Sequence, residues 1–141
     1  MVSLILCSHS DLCQSLKRTA EMIYGEVENC ETVSLLPDGS LEGIAAEIRE
    51  KYDAFHAQGD DVVCLCDLSN ASPFNACCIA LGDTDARVIP GMSLPLLITI
   101  ASGRDEATPE TLDDFLRECI SDSKDAMDLI VVKDLMAEDA E

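Results

Sequence analysis

Four short apolar runs, separated by longer segments of helical period, constrain what this 141-residue chain can fold into. Val2-Ser3-Leu4-Ile5-Leu6-Cys7 is nearly continuous in apolar character, as expected for a strand covered on both faces. Leu12, Cys13, Leu16, Ala20, Ile23 and Tyr24 then recur at helical spacing, with Ser10 as the expected N-cap and Gly25 as the stop. Residues 32–36 read as a second strand, Pro37-Asp38-Gly39-Ser40 as a turn, and Leu41, Ile44, Ala45, Ile48, Tyr52 and Phe55 as one face of a helix. Residues 62–66 form a central-looking third strand with an exit loop over 67–71. Ser72-Pro73 predicts the next helix start, because Ser caps the first amides and Pro fits the first helical position. Phe74, Cys77, Cys78 and Leu81 are expected on its buried side.

A fourth strand is predicted over 86–90, followed by a helix from about 93 to 102 that holds Pro95 in its first turn. Thr108-Pro109 is read as the start of a further helix carrying Leu112, Phe115, Leu116, Cys119 and Ile120, and residues 129–132 as a last strand. Strands alternating with helices predict an α/β, doubly wound, mostly parallel sheet of order 2-1-3-4 plus a C-terminal edge strand, with helices on both faces. The length suits one domain over 1–133 followed by an acidic tail over 134–141, frayed from 137 onward.

Nine basic and 28 acidic residues give a formal charge of −19, which argues against nucleic acid and anionic membrane as partners and favours a basic one. No apolar stretch is long enough to span a bilayer and no export signal is apparent, so the chain is expected to be soluble and intracellular. The eight cysteines, at 7, 13, 30, 64, 66, 77, 78 and 119, contain no Cys-x-x-Cys pair. They are read as reduced, mostly buried small residues rather than as disulfides or zinc ligands.

The architecture places ligand sites at the carboxyl ends of strands, where strand order reverses. His9 follows the first strand and Asp67 the third, so in the expected order their loops flank one crevice. An imidazole accepts a phosphoryl group on one nitrogen when the other carries its proton towards a fixed acceptor, and Asp67 is the natural orienter. The phosphoryl oxygens need donors, for which the helix start at Ser72, with the amides of Phe74 and Asn75, is an anion cradle. Ser8, Ser10 and Ser69 add hydroxyls, or act as caps. Taken alone, the pair is equally compatible with a structural hydrogen bond. His56, near a helix end, reads as a solvated or capping side chain, and no GxxxxGK[ST] or GxGxxG loop supports nucleotide binding.

Ser8-His9, Met22-Ile23-Tyr24-Gly25, Cys66-Asp67-Leu68, Ser72-Pro73-Phe74-Asn75-Ala76 and Pro90-Gly91-Met92-Ser93-Leu94-Pro95-Leu96-Leu97 together resemble the mannose-family enzyme IIA of the bacterial phosphoenolpyruvate:sugar phosphotransferase system. The resemblance runs in order across about residues 1 to 132. It implies a cytoplasmic phosphocarrier, commonly a homodimer with an exchanged C-terminal strand. It also implies that His9 takes a phosphoryl group from HPr and hands it to an enzyme IIB, with Asp67 as its hydrogen-bond partner, Ser72 as a phosphate contact and no bound cofactor.

The family usually has Gly after the histidine and Gly-Gly before Ser-Pro, where this chain has Ser10, Asn70 and Ala71. Ala in particular tolerates positive φ poorly, so a tighter or altered cradle is expected. Three other readings stay open: the phosphocarrier subunit of a dihydroxyacetone kinase, a regulatory binding module without transfer, and a thiol sensor or metal carrier. The last requires exposed, low-pKa thiolates or convergent ligands.

Overall fold

The computed structural model describes residues 1–140. Strands β1 (Val2–His9), β2 (Cys30–Leu35), β3 (Asp61–Cys66) and β4 (Arg87–Pro90) alternate with helices α1 (Leu12–Tyr24), α2 (Leu41–Ala57), α3 (Ser72–Leu81) and α4 (Leu94–Gly103). A 3-10 turn at Arg104–Glu106, α5 (Leu112–Asp125) and α6 (Val132–Ala140) complete the chain. All three strand pairings are parallel and the order is β2-β1-β3-β4, as the alternation predicts.

The side-chain period of two divides the interior into two cores. Leu4 and Leu6 of β1, with Val63 and Leu65 of β3, meet Leu97 and Ile100 of α4 and Leu112 of α5 on one face. Ile5 and Cys7, with Cys64 and Cys66, meet Ile48 and Phe55 of α2 and Cys77 of α3 on the other. Both central strands are therefore covered on both sides, which is why their sequences lack polar alternation. Pro95 sits in the first turn of α4, and Ser93 caps that helix by accepting from the Leu96 amide.

Several expectations are corrected. Residues 129–132 form no strand: Leu129, Ile130, Val131 and Val132 are exposed, and Val132 already opens α6. Strand propensity is expressed only where a partner ladder exists, and within this chain the segment reaches neither sheet edge. Among the described residues the sheet thus has four strands and no C-terminal edge strand. Helix α5 begins at Leu112 rather than at Thr108-Pro109, because Thr108 and Thr111 bond to each other in a preceding turn. Ser10 does not cap α1: it has a left-handed φ of 54°, and the cap position falls to Asp11 without a side-chain bond. Residues 134–140, expected as a tail, are helical, and Glu141 lies outside the described residues.

Arg104 is a buried cation with no role in the sequence reading. One of its terminal nitrogens donates to the Val2 carbonyl at 3.1 Å and the other to the Glu28 carbonyl. The side chain thereby ties the loop before β2 to the start of β1. Arg104→Met keeps the apolar stem but leaves both carbonyls without their donor, and is expected to cost about 2–4 kcal/mol. The change in urea-unfolding midpoint at unchanged slope measures it; a shift worth less than about 0.5 kcal/mol, the size of an ordinary surface substitution, removes the clamp from the account.

Candidate functional site

Strand β1 ends at His9 and β3 at Cys66, and the parallel register that pairs Cys7 with Cys66 brings the two exits side by side. Asp67 is the first residue beyond β3. Its Oδ2 accepts from the His9 backbone N–H at 3.0 Å and lies 2.7 Å from His9 Nδ1, while Oδ1 accepts from the Leu68 amide at 2.9 Å. The Asp67 side chain is 10% exposed and that of His9 47%. The sequence-predicted pair is thus in direct contact, with a shielded carboxylate beneath an open ring.

Burial alone raises the Asp67 carboxyl. Donation from the His9 backbone and ring and from the Leu68 amide outweighs it and holds the group below the usual carboxylate range. An ionised acceptor at Nδ1 selects the tautomer that carries its proton there. Nε2 of the half-exposed ring is then left with the free lone pair.

The backbone around His9 is pinned on both sides. Ser8 is fully buried; its hydroxyl donates to the His9 carbonyl at 3.1 Å and accepts from the Cys13 amide at 2.9 Å. The Ser10 amide donates to Leu35 at 2.8 Å, and the Ser10 hydroxyl is only 3.4 Å from Asp11. A depression of about 340 Å³ opens beside the ring, lined by Ser10, Leu35, Leu36, Pro37 and Gly39.

The loop that leaves β3 through Asp67 runs into the start of α3. Ala71 occupies the cap position with extended backbone, and Ser72 is already helical, so Ser72 does not cap. The amides of Ser72 and Phe74 have no partner among the described residues. That of Asn75, expected to be free, bonds to the Ala71 carbonyl at 2.9 Å. The Asn75 side chain reaches back to the Asn70 carbonyl at 3.5 Å. Ser69 is exposed in the connecting loop.

The glycine replacements resolve differently. Asn70 takes a φ of 62°, a conformation its side chain tolerates, and Ala71 at φ −93° needs no glycine. Ser10 is the strained position, because a left-handed conformation disfavours any residue with a Cβ.

The remaining candidates behave as side chains of the fold. His56 is exposed on α2 and stacks on Tyr52 with ring centroids 5.4 Å apart. Seven of the eight cysteines are buried; Cys78, expected inside, is exposed because Cys77 and Leu81 take the face of α3 turned to the core. A hydrogen bond with Cys77, 3.5 Å away, and then burial push the Cys66 thiol up. Burial pushes Cys30 and Cys119 up to about 11. Raised thiols of this kind at Cys30, Cys66 and Cys119 are the opposite of the low-pKa thiolate a sensor requires. Among the described residues no three His, Cys, Asp or Glu side chains converge as metal ligands, and no helix is long and apolar enough to cross a membrane. A larger cavity of about 530 Å³, lined by Lys17, Cys30, Lys51 and Phe55, holds no comparable pair of reactive groups.

Comparison with known proteins agrees with the geometry. The chain is 31% identical to the sorbose-specific EIIA component of the phosphotransferase system (PTS) of Klebsiella pneumoniae over 86% of its length and 88% of that protein's. It is 31% identical to the mannose-specific EIIAB component of Escherichia coli over 74% of this chain, but only 32% of that longer protein. The fold superposes on the phosphotransferase component EIIA of Streptococcus agalactiae with a TM-score of 0.80 at 20% identity, covering 92% and 97% of the two chains. A PTS IIA protein associated with the fucose utilization operon of Streptococcus pneumoniae gives 0.78 at 22%, covering 96% of each. Residues 3–120 match the EIIA-man family, described as the PTS system fructose IIA component, and the chain belongs to that family of phosphotransferase-system EIIA components.

Proposed function

We propose that this protein is a cytoplasmic phosphocarrier that accepts a phosphoryl group from HPr on Nε2 of His9 and passes it to an enzyme IIB serving sugar uptake. The observation that carries the reading is the 2.7 Å contact between His9 Nδ1 and Asp67 Oδ2, which leaves Nε2 free on an open ring. The Nε2 lone pair attacks phosphorus in line as the P–N bond to the donor imidazole breaks, and the bonding electrons return to the donor ring. Once Nε2 carries the phosphoryl group, a proton retained at Nδ1 makes the ring cationic. The Asp67 carboxylate offsets that charge.

The same carboxylate serves the second transfer. With Nδ1 protonated, the departing group is neutral imidazole rather than imidazolate, so the phosphoryl group remains easy to pass on. The Ser72 hydroxyl, the unpartnered amides of Ser72 and Phe74, the polar side chain of Asn75 and the Ser10 hydroxyl are the proposed donors to its oxygens. They are positioned by the protein, so no cofactor is required in this scheme.

A homodimer belongs to the same reading. The apolar run Leu129-Ile130-Val131-Val132 is exposed in one chain, and among the described residues β4 has no neighbour on its outer side. A second copy supplies what each lacks: a ladder for the run and a cover for the edge.

Four measurements test these statements. His9→Ala is expected to abolish acid-labile labelling from phosphoenolpyruvate, enzyme I and HPr; retained label in that variant removes His9 from its role. Asp67→Asn should fold yet label about ten- to a hundredfold more slowly, the loss typical when the carboxylate orienting a functional imidazole is altered. The same substitution has a pH signature. Because the folded-state pKa of Asp67 is depressed, its stabilisation is complete above the ordinary value near 4 and is lost as pH falls through the lowered one. The stability gap between wild type and Asp67→Asn should therefore narrow below about pH 4 in urea titrations; a constant gap down to pH 2.5 contradicts the depressed pKa. Sedimentation should give a dimer for the full chain and a monomer when residues 127–141 are deleted; a full-length monomer rules out the pairing.

A further inference from the structure

We infer that Ser8 is a positioning residue for His9, coupling the ring that accepts the phosphoryl group to the first turn of α1. The inference rests on the proposed role of His9 and names a residue that acts through it. Ser8 is the one polar side chain buried completely at the end of β1, and its hydroxyl is used twice. It donates to the His9 carbonyl at 3.1 Å and accepts from the Cys13 amide at 2.9 Å.

These two bonds matter because of what surrounds them. The peptide between His9 and Ser10 leads directly into a left-handed residue, φ 54°, with no glycine to ease it. Its carbonyl is held by Ser8 and its N–H by the Leu35 carbonyl at 2.8 Å. The preceding N–H, that of His9 itself, is held by Asp67. Three successive backbone groups are thus fixed by three different elements of the fold, and Ser8 is the only side chain of β1 among the holders. Free rotation of that peptide would swing the His9 Cα–Cβ bond, and with it the short Nδ1 contact to Asp67.

The second bond ties this arrangement to α1. Asp11, at the cap position, makes no side-chain bond to the helix, so the buried Ser8 hydroxyl satisfies an amide of the first turn in its place. Displacement of that turn, whose Leu12 is half exposed, is transmitted through one hydroxyl to the reacting ring.

The test compares Ser8→Ala with Ser40→Ala. Ser40 caps α2 by accepting from Gly43 at 3.0 Å, so its loss destabilises a helix start without touching His9. Two readouts are taken: the Nδ1–H to Nε2–H tautomer ratio of His9 by nitrogen-15 NMR of the unphosphorylated protein, and the rate of labelling by phosphorylated HPr. Ser8→Ala should shift the ratio away from Nδ1–H and slow labelling at least about threefold, as expected when a reacting group is misplaced by a fraction of an ångström. Ser40→Ala should change neither. Should Ser8→Ala not fold, Ser8→Cys, nearly isosteric and a weaker donor, should shift both readouts in the same direction. A wild-type tautomer ratio in the folded Ser8 variant overturns the inference. If the wild-type protein takes no label, the carrier role fails instead, and the tautomer comparison still decides Ser8.

Discussion

One carboxylate oxygen holds the carboxyl end of the sheet in register. Asp67 Oδ2 accepts from both the backbone and the ring of His9, so the exit of β3 fixes the main chain and the side chain at the exit of β1 together. A bond to the ring alone would leave the strand end free to drift, and a bond to the backbone alone would leave the ring free to turn. The double contact makes orientation of the imidazole a property of strand pairing, and strand pairing rests on two full cores. The orientation of His9 is therefore supported by the most buried part of the molecule rather than by a flexible loop.

The parallel topology produces this arrangement with little else. Neighbouring parallel strands necessarily end on the same side, and in the order β2-β1-β3-β4 the crossovers leave β1 and β3 in opposite directions. Helix α1 packs on one face of the sheet and α3 on the other. The helices that follow β1 and β3 each have an unusual cap. In α1 the buried Ser8 hydroxyl replaces the side chain of Asp11, and α3 begins from Ala71 with no side-chain cap. An uncapped start keeps its amides available for an anion, which a serine or aspartate at that position would have occupied.

Strand order and the His9–Asp67 pair were legible in the residues because both follow from local pattern: apolar runs set the strands, and both residues stand where a run stops. What was not legible depends on partners distant in the chain. Arg104 lies in Ser102-Gly103-Arg104-Asp105, which reads as an exposed polar turn, yet its bonds reach Val2 and Glu28. Residues 129–132 have the composition of a strand, and only the absence of a ladder within the chain denies them that state. The reading of Ser72 as a cap failed by one residue, since the helix begins at Ser72 itself, and the same shift committed the Asn75 amide to Ala71. For Ser8 the residues leave a phosphate-contacting hydroxyl and a cap both open; that it is turned inward, against the Cys13 amide, follows from β1 running as far as His9.

The charge distribution around the crevice has a further consequence for a carrier of the proposed kind. Residues 7–12, 35–40, 66–75 and 90–94, which surround the carboxyl ends of the strands, contain Asp11, Asp38 and Asp67 but no Lys or Arg. A phosphoryl group held there meets hydroxyls and amides, not a resident cation. A cation would bind the phosphoryl group more tightly while it rests on His9, and binding that is equal in ground and transition states deepens a well without lowering the barrier out of it. A carrier has to release the group as readily as it takes it. In the proposed scheme, neutral donors on a rigid frame, with the compensating charge of Asp67 bonded to the ring, stabilise the phosphorylated imidazole through its own positive charge. That stabilisation vanishes when the group departs, since the neutral ring then needs only its hydrogen bond.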